Sequence, residues 1–173
     1  MVIKNIFTFS LLISLFGCGQ KMYKIERNKY GEPILNDEVK YSFTENPTFE
    51  DLKKIDTTAY YVQIFPDNFD REEITKNPRI IIFHNDGFFK NESLLYFGKF
   101  DEHRNKKSVY YGGKYRINND EILIENFIPS SPIGKRYLKK IIPGKILENG
   151  NKIIFDFGEY IQIFEKKNSI PKK

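Results

Sequence analysis

One thiol, two imidazoles and one dense run of carboxylates are the side chains with chemistry to offer, and their spacing decides what each can do. Cys18 is the only cysteine in 173 residues, which excludes a disulfide within the chain. His84 stands beside Asn85 and Asp86 at the end of an apolar run. A general base needs a nucleophile held within hydrogen-bond reach, and no Gly-x-Ser-x-Gly elbow is present, so His84 reads as a turn residue. His103 lies in the wholly polar stretch 101–107 and reads as solvated. Two histidines without paired cysteines or helical His spacing do not make a zinc set. Asp67, Asn68, Asp70, Glu72 and Glu73 gather oxygen ligands as a calcium loop would. The glycine and terminal glutamate of an EF-hand register are missing, and Arg71 and Lys76 suit a solvated loop that starts a helix. Gly112 and Gly113 precede a strand rather than a helix, so they serve a bulge or bend and not a phosphate cradle. Lys135, Arg136, Lys139 and Lys140 place four cations in six residues, a solvated strand face or a contact for anionic headgroups. No catalytic residue, metal or cofactor is nominated, and the expectation is a protein that is not an enzyme.

The thiol finds its role in what precedes it. Lys4 gives a short positive start, and residues 6–16 are almost unbroken apolar sequence, the outline of a secretory signal peptide. Eleven residues in a helix reach about 16 Å, short of the roughly 30 Å hydrocarbon core. The run ends in Leu15-Phe16-Gly17-Cys18, which resembles the lipobox of bacterial lipoproteins, here of the Bacteroidetes type. The resemblance implies removal of residues 1–17, a thioether-linked diacylglycerol on Cys18 and an acylated (typically palmitoylated) α-amine. Several acyl chains at about 0.8 kcal/mol per CH₂ anchor a protein firmly. Gly19 in place of Asp implies the outer membrane by analogy, and residues 20–24 lack the acidic cluster of surface-export signals, which implies a side facing the periplasm. Replacing Cys18 by Ser would release such a protein from the membrane.

Composition fixes the class of fold. Sixteen Phe, eleven Tyr and abundant Ile, with Ala59 as the only alanine, favour strands over a helical bundle. The formal charge of +5 is spread among 23 acidic residues, so no nucleic-acid footprint is indicated. Residues 18–47 show no lasting period and read as the lipidated cysteine and a tether, although Val39, Tyr41 and Phe43 alternate with polar neighbours as a first or edge strand would. Phe49, Leu52 and Ile55 fall at helical spacing behind Thr48, an N-cap with Asp51 three residues on. A short helix there would cover an open end of a sheet. Residues 59–65, 79–83, 88–89, 93–97, 113–118, 121–125, 137–142, 144–147, 152–157 and 160–165 read as strands. Asp86-Gly87, Asn118-Asn119-Asp120 and Glu148-Asn149-Gly150 supply the turns between them. The whole is expected to be all-β: a single antiparallel meander of eight to ten strands over residues 48–166, closed or nearly closed into a barrel. Residues 167–173 form a polar tail.

The order of strands and turns over residues 57–165 resembles the lipocalin-like domains of bacterial lipoproteins, without the Gly-x-Trp signature of true lipocalins, since Trp is absent. The resemblance implies a binding barrel. Tyr60, Phe88, Tyr111 and Tyr115 are the candidate lining of a cavity for an apolar small molecule. The alternative is a filled barrel acting as a structural module or inhibitor, meeting another envelope protein through loops 66–78, 101–107 and 129–136.

Overall fold

The structure, a computed structural model, describes residues 21–66, 69, 71–97, 104–131 and 135–168. Cys18, His103, Asp67, Asn68 and Asp70, and with them the lipobox and half of the calcium-like run, lie outside the described residues. So do residues 98–103, 132–134 and 169–173.

Nine strands form: β1 (Met22–Lys24), β2 (Tyr60–Ile64), β3 (Arg79–Phe83), β4 (Phe88–Ser93), β5 (Gly112–Asn118), β6 (Glu121–Pro129), β7 (Arg136–Leu147), β8 (Lys152–Asp156) and β9 (Ile161–Lys167). From β2 onward each pairs antiparallel with the next, and β9 returns to pair with β2. The result is a closed eight-stranded up-and-down barrel, consistent with a lipocalin-like barrel, with β1 added outside against β7. Closure leaves few exposed edges, as a meander of this length requires. Among the described residues no helix is long and apolar enough to cross a membrane.

The turns take the conformations their residues allow. Gly87 has φ +78° and Asn119 φ +55°, left-handed values that Gly and Asn adopt at low cost. Two boundaries differ from the sequence reading. The pair 88–89 and 93–97 is instead one strand, β4, followed by turns. Residues 137–142 and 144–147 are one continuous strand, β7, which Pro143 does not break. On one side β7 pairs with β6 along most of its length; on the other, β1 takes Arg136–Leu138 and β8 takes Gly144–Leu147. Residues 139–143 have no described partner on that side, so Pro143 can withhold its missing N–H from the ladder.

Inside the barrel, Tyr61, Ile81, Phe83, Phe89, Tyr115, Ile122, Ile124, Ile142, Ile153, Phe155 and Phe164 form one core. Edge-to-face contacts join Phe83 to Tyr61 and to Tyr115, with centroids 5.4 and 5.0 Å apart, an arrangement the ring quadrupoles favour. Helix α1 (Phe49–Leu52) starts with the expected Thr48–Asp51 capping box. The helix itself buries nothing; the residue that plugs this end of the barrel is Ile55, just beyond it. Tyr61 Oη ties the plug in, accepting from Asp56 N at 2.9 Å and donating to Gly150 O at 3.0 Å. A second one-turn helix, α2 (Glu72–Thr75), lies in the β2–β3 connection.

Residues 21–47, read as tether, are packed along the outside of the barrel. Ile25, Leu35, Val39 and Tyr41 join Val109, Phe127 and Tyr137 in a second core, with Phe43 also buried. Val39, Tyr41 and Phe43 are buried and Lys40, Ser42 and Thr44 exposed, so the alternation is real although no ladder forms. Glu125 takes the place of a strand partner. Its carboxylate, fully buried, accepts from Ser42 N at 2.8 Å, Ser42 Oγ at 2.8 Å and Phe43 N at 3.0 Å. Lys139 Nζ lies 3.2 Å away and also donates to Lys40 O at 3.1 Å. Burying a carboxylate is costly unless every lone pair is met, and here the segment supplies the donors. Glu125→Ala should therefore cost about 3–5 kcal/mol in urea unfolding, and Glu125→Gln about 1–3 kcal/mol. An unchanged midpoint for both would mean that the segment is held by its apolar side chains alone.

Candidate binding cavity at the open end of the barrel

One end of the barrel is plugged and the other is open. The plugged end has the β3–β4, β5–β6 and β7–β8 turns and Ile55. At the opposite end the interior face changes chemistry. Following the register outward from the core, Tyr61 gives way to Gln63, Ile81 to Arg79, Phe89 to Asn91 and Ser93, and Phe164 to Gln162. These interior polar groups line a cavity of about 1220 Å³ that opens to solvent. The β2–β3 connection walls it with Phe65, Pro66, Phe69 and Ile74, and Tyr160 and Ile161 form the facing rim. Phe65 and Phe69 pack with ring centroids 5.0 Å apart. Tyr160 stacks on Phe157 at 4.9 Å and 9°.

The floor holds both hydrogen-bonding senses. Arg79 N donates to Gln63 Oε1 at 3.3 Å, and no carboxylate among the described residues pairs with the Arg79 guanidinium. Asn91 Oδ1 is buried with no donor among the described residues. A buried acceptor left unmet costs free energy that a donor from a bound molecule or water would recover. The rim adds Arg71, Glu73 and Glu159. The arrangement has apolar walls and a mixed polar floor, the usual make-up of a small-molecule site.

The four aromatics nominated from sequence are placed elsewhere and are not brought together. Tyr115 lies in the core, 1% exposed, its Oη donating to His84 O at 2.7 Å. Phe88 and Tyr111 are on the outer face, and Tyr60 stacks edge-on to Phe97. None of the four lines the cavity described. An aromatic count cannot tell a ring that fills from one that lines. The signal available was polar residues in interior register beside aromatic ones, as in Tyr61-Val62-Gln63.

His84 is also on the outer face, half-buried. Its Nε2 lies 2.7 Å from Tyr111 Oη, and the rings are 5.8 Å apart. Asp86, below its ordinary range through its hydrogen bond and charge contact with Lys106, anchors that loop. Among the described residues no cluster of three or more His, Cys, Asp or Glu side chains is arranged to hold a metal ion. Gly112 and Gly113 permit close approach of strands: a Cβ on either would lie 2.2 Å from Phe89 O or 2.1 Å from Glu125 O. Lys135 and Arg136 are exposed, whereas Lys139 is committed to Glu125.

No family model, no curated protein and no solved structure matches this chain.

Burial lowers the His84 pKa, Lys106 lowers it further, and Asp86 only partly opposes them. The unfolded chain therefore binds the His84 proton more tightly than the folded one. The stability contributed by neutral His84 is complete above its unfolded pKa of about 6.5 and is lost as pH falls below that value. Melting temperatures measured from pH 8 to pH 5 should fall less steeply for His84→Gln than for the parent. Equal slopes would show that the ring titrates alike in both states.

Proposed function

We propose that the protein is a lipid-anchored cell-envelope binding protein, held through Cys18 in the outer membrane and facing the periplasm, that carries a small molecule and does not transform it. The observation that supports binding is the cavity of about 1220 Å³ at the open end, larger than the roughly 300–1,000 Å³ typical of ligand sites. Its wall and floor suit a molecule with an apolar body, placed against Phe65, Phe69 and Ile74, and a polar group that accepts from Arg79 and donates to Asn91. The purely apolar ligand expected from the aromatic count fits this floor less well. Support for the anchor is the resemblance of Leu15-Phe16-Gly17-Cys18 to a lipobox.

The test is native mass spectrometry of the protein extracted from its own host. A small-molecule adduct is expected on the parent and not on Ser93→Trp, which fills the cavity from its polar side. A folded parent that carries no adduct, and whose melting temperature no extract of host small molecules raises, refutes the carrier reading.

A further inference from the structure

The packing of residues 22–47 leaves almost no tether. Cys18 is four residues before Met22, where β1 begins against Leu138 of β7. Four extended residues span at most about 14 Å. If Cys18 carries the lipid, as proposed above, the β1–β7 side of the barrel is leashed within that distance of the bilayer.

The surface on that side matches a membrane. Along the stretch of β7 that neither β1 nor β8 covers, Ile141 is 51% exposed and, in register with Glu125, faces outward, opposite the core residue Ile142. On that outer face Lys21, Lys40 and Lys145 are exposed; Lys21 reaches over the Tyr23 ring, and Lys40 O accepts from Lys139 Nζ. None of these three lysines has a salt bridge among the described residues, and the nearby carboxylate Glu125 is buried and spent on Ser42, Phe43 and Lys139. Glu121, opposite Lys145 on β6, is the exposed acid in the paired register. Amphipathic cations around exposed apolar side chains suit the headgroup region, where basic residues meet phosphates and apolar ones enter the acyl boundary. A single lipid attachment with a basic patch holds more firmly than either alone.

We infer that the exposed edge of β7 around Ile141, with Lys21, Lys40 and Lys145, is a second membrane contact that lays the barrel against an anionic lipid surface. In the barrel's circular order β3 is diametrically opposite β7. The cavity is built on β2, β3, β4 and β9, so its mouth is held on the far side from the bilayer. The ligand enters from the aqueous phase and not from the leaflet.

Because the chain has no Trp, one substitution installs a unique reporter. Ile141→Trp, and Ile74→Trp on α2 at the cavity wall as the control, are extracted as the host makes them and reconstituted into phosphatidylethanolamine–phosphatidylglycerol vesicles containing bromine-labelled acyl chains. Quenching and a blue shift are expected at position 141 and not at 74. Lys40→Glu with Lys145→Glu in the Ile141→Trp background should reduce the quenching several-fold, as should replacing phosphatidylglycerol by phosphatidylcholine. Intact-protein mass spectrometry of the same samples reads the state of Cys18. A lipidated protein whose position-141 indole is unquenched overturns the contact while leaving the anchor standing; an unmodified Cys18 overturns the anchored reading itself.

Discussion

The outer half of this fold depends on one buried carboxylate. Glu125 is on the convex face of β6, where a meander barrel would ordinarily expose a charge to water. Instead the segment around Ser42 and Phe43 crosses it and provides two backbone N–H groups and a hydroxyl, and Lys139 provides a charge. The dependence runs one way. Without the segment, the carboxylate would regain water at no loss; without the carboxylate, two N–H groups would be buried unmet against the sheet. The apolar contacts of Tyr41 with Phe88 and Phe127 then close over the pair. Burial, with the Glu125 charge second, pushes the Tyr41 phenol far above its ordinary range, so it stays neutral.

That pairing decides what the molecule can present to its surroundings. The convex face of β4 to β7 is occupied by the chain's own N-terminal segment, further tied by Arg104 bridging Glu32 and Glu92 at 3.1 Å each. It is therefore a core and not a surface. On that side of the barrel what remains accessible is the bare stretch of β7. Division of the interior follows the same economy: one end is filled by Ile and aromatic rings that stabilise, the other keeps Gln63, Arg79, Asn91 and Gln162 where hydrophobic packing would have stabilised more. Polar groups retained at core register are where a fold departs from its own rules for the sake of a site.

Local chemistry was legible in the sequence and long-range chemistry was not. Alternation, Asp-Gly and Asn-Asn-Asp turns and the Thr48 cap are short-range preferences, and the meander, its closure and the start of α1 followed from them. The same alternation put Glu125 on a wet face beside Ile122 and Ile124. It is on the outer face, but dry, because its partners are 82 and 83 residues away. Val39, Tyr41 and Phe43 carried the signal of a buried face without a ladder to join, so a tether was the simpler reading of a segment that packs. The cavity was missed for a related reason. Tyr115 and Phe88 differ in side of the sheet, not in kind, and only register with the core separates filling rings from lining ones.

The packed core and the open cavity therefore lie at opposite ends of one barrel with little shared between them. At the plugged end Tyr61 Oη links Asp56 to Gly150, fixing the chain around Ile55. At the open end the β2–β3 connection is held by lighter contacts, α2 buries no side chain, and its N-cap residue Arg71 makes no side-chain cap bond. The connection's described aromatic residues, Phe65 and Phe69, pack on each other with centroids 5.0 Å apart. The β2–β9 seam beneath it is paired over five successive residues, so closure of the barrel does not rest on that connection.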